Sequence, residues 1–235
     1  MLIALVVFAA ALVQGVLGFG GALIAMPLLV MLIGVKTAAP AFAFITVLAT
    51  LLNAFHWRAH VTPRDLIQLG LPALVGIPLG VWLLSRVDEA LVTRALGASL
   101  VLYAAYVLLG LAVPPPRRRL WAYLAGFTSG VLTGAYNTGG PPVIVYATAR
   151  RWPADQLRGN LQTYFLFSSV LALASHGLAG HLTATVWRTA LLFAPAMLVG
   201  HFLGVRLCRY VDAERFQRLA LLFLLAIGLQ LLLAG

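Results

Sequence analysis

Two glycine-rich strings, each inside a long apolar stretch, contain the residues of this chain that are best suited to bind a ligand. Residues 137–142 read Asn-Thr-Gly-Gly-Pro-Pro, and residues 18–21 read Gly-Phe-Gly-Gly. A helix that starts at either string has unpaired backbone N–H groups and roughly half a positive charge at its first turn. Asn137 or Thr138 could cap the second helix, whereas the first string offers no capping side chain. Because helix N-termini of this kind bind anions, both strings predict an anion site.

The predicted ligand contacts lie in and beside these strings. Gln14 and Tyr136 are polar residues that flank the strings, and the glycines let a ligand approach the backbone closely. The alternative is that the glycines only allow helices to pack closely, and for both strings we favour ligand binding. The candidate substrate-binding residues are Gln14, Gly20, Gly21, Tyr136, Asn137, Thr138, Gly139 and Gly140.

Acidic residues give no path for a coupling ion, because all six Asp and Glu residues lie in loops outside the long apolar runs. Proton coupling would then have to use histidine. His176 is the candidate because it lies inside an apolar segment, and a structural hydrogen bond is the alternative. The five histidines and the single cysteine lack metal-ligand spacing. The sequence therefore predicts no metal site and no cofactor.

The composition indicates which elements position these residues. The 235-residue chain is 62% hydrophobic and 9% charged, with a net charge of +10. Soluble domains are roughly 25% charged, so this composition excludes a soluble enzyme and predicts an all-α polytopic membrane protein. Basic residues form short clusters between apolar runs, which predicts contact with anionic membrane lipid rather than nucleic acid. A second copy of the chain is the remaining candidate partner.

Eight long runs contain no Asp, Glu, Lys or Arg. Six of them fit one membrane-spanning helix each, if His176 and His181 mark the exit of the sixth run, residues 159–187. The other two, residues 1–35 and 120–149, would extend about 52 and 45 Å as single helices, against a hydrocarbon core of about 30 Å. Each contains one glycine-rich string. We interpret each as two helices that meet at a break in a re-entrant hairpin. A single kinked and tilted helix is the alternative.

An internal repeat relates the two breaks. Residues 15–21 align with residues 134–140, and the Gly-x3-Gly pair at residues 76–80 aligns with the pair at residues 200–204. The order of the matches is kept, and the offset stays between 119 and 124 residues. These matches predict two homologous halves, and we interpret the Gly-x3-Gly pairs as helix-packing residues.

The first half is residues 1–112 and the second is residues 120–235, joined by a Pro/Arg linker at residues 113–119. Each half is predicted to contain a broken helix pair followed by three membrane-spanning helices. If the broken pairs are hairpins, the repeats are inverted, and 12 of the 16 Lys and Arg residues lie on one side. If they cross fully, the repeats are parallel and the larger side holds 10. The bias of basic residues toward the cytoplasm favours inverted repeats.

These features resemble the sulfite exporter TauE/SafE family of membrane transporters. The resemblance is carried by residues 14–22 in the first half and by residues 126–130 and 138–142 in the second, and it covers essentially the whole chain. Family members often have a third consecutive glycine where this chain has Ala22 and Pro141. The resemblance implies transport of sulfite, organosulfonates or related anions across the bacterial cytoplasmic membrane, usually outward.

The expected function follows from the anion site and the missing acidic relay. Moving one negative charge out of a cell is favourable by about 2.3 kcal/mol per 100 mV. We therefore expect an exporter of small anions that are bound between two broken-helix N-termini near the bilayer midplane. An anion channel and a structural membrane subunit are the alternatives. An enzyme is not expected, because the sequence has no Gly-x-Ser-Gly nucleophile and no clustered metal ligands.

Overall fold

The computed structural model describes residues 2–111, 114–115, 118–208 and 210–234. Within these residues the protein consists of helices and connecting loops, with no strand. The all-α prediction is therefore confirmed for this part of the chain. Residues 113, 116 and 117 of the predicted linker lie outside the described residues.

Ten α-helices follow the apolar runs of the sequence. In each half, two shorter helices separated by a break precede three long helices. The helices are α1 (Leu2–Leu17), α2 (Gly21–Ile33), α3 (Val35–Trp57), α4 (Pro63–Arg86), α5 (Glu89–Leu108), α6 (Leu120–Tyr136), α7 (Gly140–Ala149), α8 (Ala154–Leu178), α9 (Ala184–Leu207) and α10 (Ala213–Ala234), with a 3-10 turn at Arg58–His60.

Five of these helices, α3, α4, α5, α9 and α10, are long and apolar enough to cross a membrane. Their outward faces carry large apolar side chains such as Trp82, Leu102 and Leu192, which are more than half exposed. Such surfaces are unfavourable in water and are expected against lipid chains. The chain is therefore a multi-pass membrane protein.

Asp88 and Asp212 lie in loops, as expected, but other acidic residues lie in the first turn of a helix, which corrects the expectation for them. Asp65, Glu89 and Asp155 each lie in the first turn of a helix. Asp88 caps α5 by accepting a hydrogen bond from the backbone N–H of Ala90 at 2.8 Å. A negative charge at these positions is stabilised by the positive end of the helix dipole.

The chain forms two compact units, and each unit combines segments from both halves of the sequence. Unit 1 contains Met1–Ala38, Val87–Leu111 and Ala184–Gly235. Unit 2 contains Ala39–Arg86 and Ala112–Thr183. The first break belongs to unit 1 and the second break to unit 2.

In unit 1, α1 packs against α9 through the second Gly-x3-Gly pair. A Cβ atom on Gly200 would overlap the carbonyl oxygen of Phe8, and one on Gly204 would overlap the carbonyl oxygen of Leu12. Two helix backbones approach this closely only where side chains are absent. Gly200 and Gly204 are thus packing residues, as predicted.

Unit 2 contains the equivalent contact, between α4 and α6. A Cβ atom on Gly76 would lie 2.5 Å from the carbonyl oxygen of Phe127, and one on Gly80 would overlap the carbonyl oxygen of Val131. Phe127 and Val131 follow the two α1 contact positions by 119 residues, the offset that also relates the breaks. The first helix of each half therefore packs, in the same register, against a long helix of the other half.

Candidate functional site

Both predicted breaks are present. In the first break, α1 ends at Leu17 and α2 begins at Gly21. Gly18 and Gly20 have φ angles of 79° and 90°, in the left-handed region that favours glycine. A Cβ atom on either residue would meet no atom within 4 Å. These two glycines are therefore required by the backbone conformation and not by packing.

The first break places the start of α2 beside α1. A Cβ atom on Gly21 would lie 2.5 Å from Oε1 of Gln14 and 2.9 Å from the carbonyl oxygen of Ala10. The half-buried Gln14 thus lies against the start of α2, and Gly20 is the N-cap of α2 without a side-chain cap, as predicted. The cavity beside Gly20 in unit 1 measures about 20 Å³, which is close to the space of one water molecule.

The second break corrects the capping prediction for Asn137. This residue has φ 54° and ends α6, where its N–H donates to the carbonyl oxygen of Thr133 at 2.8 Å. Its Nδ2 donates to the carbonyl oxygen of Ala39 on α3 at 2.6 Å. Gly139 is the N-cap of α7, and within the described residues no side chain caps that helix. The Asn137 side chain is thus hydrogen-bonded to α3 and does not cap α7.

Gly139 and Gly140 differ in the space around them. A Cβ atom on Gly139 would overlap the carbonyl oxygen of Ser129 and Oγ1 of Thr133. Ser129 Oγ also donates to the carbonyl oxygen of Gly139 at 2.5 Å. A Cβ atom on Gly140 would make ordinary contacts of 3.6 Å with the Ile144 and Phe165 side chains. Packing thus requires a glycine at residue 139 but not at residue 140.

Four buried polar residues surround the start of α7, and we call them the break cluster: Ser129, Thr133, Asn137 and Thr138, each at most 7% exposed. Asn137 Oδ1 and Thr138 Oγ1 have no hydrogen-bond partner among the described residues. Buried polar atoms are normally paired, and leaving one unpaired costs about 1–3 kcal/mol. These two atoms are therefore available to a ligand or water.

Backbone donors are also available at the start of α7. The first four N–H positions of a helix have no partner within the helix. Pro141 and Pro142 occupy two of these positions and have no N–H group. The start of α7 therefore offers the N–H groups of Gly139 and Gly140 at the positive end of the helix.

Helix packing within unit 2 sets the level of this site along α4. Gly126 of α6 lies against Leu69 of α4, and Gly134 lies against Ile77 and Val81, so α6 and α4 run parallel. Gly139 lies beside α6 between residues 129 and 133. The start of α7 is therefore level with residues 76–80, close to the middle of the 24-residue helix α4.

The remaining predicted site residues have the following environments. Tyr136 is buried at the end of α6. His176 is fully buried on α8 and contacts His181. The convergence of both breaks on one ligand stays a prediction, since they belong to different units. Across the described part of the chain, His, Cys, Asp and Glu side chains form no group of three that could hold a metal.

Ser129 and Thr133 are not among the substrate-binding residues predicted from the sequence. Their spacing was nevertheless informative. Ser129, Thr133 and Asn137 follow one another at intervals of four, which places them on one face of α6 leading to the break. A polar stripe that ends in a helix break indicates that the break faces protein or water rather than lipid.

The comparison with known families gives the identity of the chain at family level. Residues 3–231 match the family model of the sulfite exporter TauE/SafE. No curated protein and no solved structure matches the chain. The match covers both breaks and all the helices that position them. The chain therefore belongs to the sulfite exporter TauE/SafE family of membrane transporters.

Proposed function

We propose that this protein exports sulfite or a related small anion and binds it at the start of α7 in unit 2. The family match supports transport of such anions. The observation that carries the site is the pair of buried, unpartnered atoms, Asn137 Oδ1 and Thr138 Oγ1, at the open end of a helix. Gly20, Gly21 and Gln14 at the first break are the proposed counterparts from the other half.

The donors at this site match an oxyanion. Anion oxygens accept hydrogen bonds from the Gly139 and Gly140 N–H groups and from the Thr138 hydroxyl, and the dipole of α7 favours negative charge there. Asn137 Nδ2 donates to the carbonyl oxygen of Ala39. Asn137 Oδ1 is an amide oxygen and can only accept a hydrogen bond. A bound water or the acidic proton of hydrogen sulfite supplies the donor that Oδ1 needs.

The break cluster contains no cation, so the substrate charge crosses the membrane without a fixed counter-charge. Export of one negative charge is then favoured by about 2.3 kcal/mol per 100 mV of inside-negative potential. The absence of a basic partner also keeps binding weak enough for release. The site is therefore suited to potential-driven efflux.

The test uses purified protein in two measurements. A thermal-shift screen against sulfite, sulfate, a taurine-like sulfonate and a carboxylate should show concentration-dependent stabilisation by one or more of the sulfur oxyanions. Proteoliposomes should then show saturable efflux of that anion, which accelerates with an imposed inside-negative potential. Flux without saturation would indicate a channel. No ligand stabilisation and no flux would indicate a structural subunit.

A further inference from the structure

A chain of hydrogen bonds connects the surface of unit 2 with its interior. Nδ1 of His176 lies 3.0 Å from Nδ1 of His181, and Nε2 of His181 lies 3.0 Å from Oγ of Ser85. Ser85 is exposed, His181 is half-buried and His176 is fully buried. At the inner end, His176 Nε2 is buried and has no hydrogen-bond partner in the described residues.

The hydrogen bonds among Ser85, His181 and His176 allow two arrangements of the protons. Ser85 Oγ also lies 2.9 Å from the carbonyl oxygen of Val81, which can only accept. If Ser85 donates to Val81, its oxygen accepts from Nε2–H of His181, Nδ1–H of His176 donates to His181, and Nε2 of His176 has a free lone pair. If Ser85 donates to His181, every bond reverses and His176 Nε2 carries a proton. Both forms are neutral, and they differ in which ring nitrogen of each histidine carries the proton. Conversion of one form into the other moves one proton from one end of the hydrogen-bonded series to the other.

We propose that Ser85, His181 and His176 form a proton relay between the exposed end of α4 and the interior at the second break. A proton binds Nε2 of His176, the proton on Nδ1 of His176 passes to Nδ1 of His181, and the proton on Nε2 of His181 leaves to water at the loop. Each imidazole ends with one proton, and one proton has moved. Reorientation of the Ser85 hydroxyl accompanies the change.

The relay ends at the level of the break cluster. α8 runs beside α4, since Asn160 contacts Thr62, Phe167 lies against Gly70, and His181 contacts Ser85. In this register His176 is level with residues 76–80 of α4, where α7 starts. The relay therefore joins the part of unit 2 where we place the anion, and a coupling of proton movement to anion export rests on the proposed function.

Few ionisable groups lie at this end of unit 2. α8 packs against α4, α6, α7 and the 3-10 turn, and Ser169 of α8 lies 3.5 Å from Thr50 of α3. At the end where His176 lies, these elements carry Lys36 and Arg86, which are exposed, and Tyr136, which is buried. His181 is the titratable group whose charge acts on His176. The ionisable groups toward the other end are Arg58, His60, Arg64, Asp65, Arg119, Tyr123, Tyr146, Arg150, Asp155, Arg158 and Tyr164.

The first half of the sequence provides a matched control. His60 aligns with His181 in the internal repeat, and Phe55 stands five residues before it, where the second half has His176. His60 is exposed in the 3-10 turn. The same substitution at His60 thus removes an aligned histidine that has no inner partner.

The first experiment needs no transport. The ¹⁵N NMR signals of labelled histidine should show His176 and His181 titrating as one linked pair. His181→Gln, at the half-buried outer position, should shift the His176 signal, whereas His60→Gln should leave it unchanged. A His176 signal that is the same in His181→Gln as in the parent protein would overturn the relay.

The second experiment measures protons and sulfite together in proteoliposomes that contain a pH-sensitive dye. Sulfite in solution binds the same number of protons whichever variant is present. A difference in proton movement between variants is therefore caused by the protein. His181→Gln and His176→Gln should lose protein-dependent proton movement and the response of sulfite flux to a pH gradient, and His60→Gln should keep both. Equal proton movement in all variants would contradict coupling. If the two histidines titrate as a linked pair but sulfite neither stabilises the protein nor is transported by it, the proposed function is wrong and the relay stands.

Discussion

At the scale of single residues, the second break contains residues that make structural contacts and one hydroxyl that is free to bind a ligand. Asn137 is tied to α3 through Ala39, and Gly139 is enclosed by Ser129 and Thr133. Thr138 is 1% exposed, and its hydroxyl has no partner in the described structure. Since no described residue pairs with this hydroxyl, its removal reports on the ligand.

Thr138→Val should weaken anion binding without weakening the fold. The substitution keeps the shape of the side chain and removes a hydroxyl that has no hydrogen-bond partner among the described residues. A hydrogen bond to a charged group contributes about 1.5–3 kcal/mol, so the Kd should rise roughly ten- to a hundred-fold. Calorimetric titration with the anion and thermal unfolding in detergent provide the two measurements.

Thr128→Val is the matched control for Thr138→Val. Thr128 lies on the exposed face of α6, where its hydroxyl donates to the carbonyl oxygen of Leu124 at 2.7 Å. Anion affinity should be unchanged in this variant. If Thr138→Val also binds the anion as tightly as the parent protein, the ligand does not contact this hydroxyl.

At the scale of elements, glycine determines how closely helices approach. The α1–α9 and α4–α6 contacts use aligned glycine pairs in the same register. The sequence predicted packing for these pairs and ligand binding for the glycines at the breaks. The structure supports packing for the aligned pairs. At the second break the two glycines differ, because Gly139 is a packing residue and Gly140 has room for a side chain.

Alanine substitutions at the start of α7 should therefore have different effects. Gly139→Ala forces α7 away from α6, and overpacking of this kind typically costs about 1–3 kcal/mol. Gly140→Ala should unfold at the same temperature as the parent protein but transport more slowly, since the added methyl group lies where the anion approaches the backbone. Thermal unfolding and proteoliposome flux measure the two effects. Equal stability of the two variants would be inconsistent with the observed packing of Gly139.

At the scale of the whole molecule, contacts within unit 2 bear on the topology. The backbone N–H of Thr62, before α4, donates to Oδ1 of Asn160 near the start of α8 at 2.7 Å. Ser85, near the end of α4, contacts His181, after α8. α4 and α8 thus begin together and end together. The hairpin of residues 120–149 stays a prediction, and a full crossing would place Thr62 and Asn160 on opposite sides of the membrane.

Cysteine labelling tests the hairpin topology. In a Cys208→Ser background, which removes the exposed native cysteine, single cysteines are introduced as Ala59→Cys, Arg150→Cys and Ala179→Cys. The hairpin predicts that an impermeant reagent labels the first two from the cytoplasmic side and the third from the opposite side. If the cysteine at residue 150 is instead labelled from the opposite side to the cysteine at residue 59, α6 and α7 cross the membrane fully.

The amino-acid sequence by itself determined the membrane class, the breaks and the repeat. These features depend on local composition: apolar length sets a spanning helix, and clusters of glycine and proline interrupt it. Tertiary structure alone decided that Asn137 binds α3 and not α7, that Gly139 and Gly140 differ, and that His176 pairs with His181 and, through it, with Ser85. Asn137 and Ala39 lie 98 residues apart, and Ser85 and His181 lie 96 apart. Contacts between such distant segments depend on how the helices pack, which no local pattern specifies.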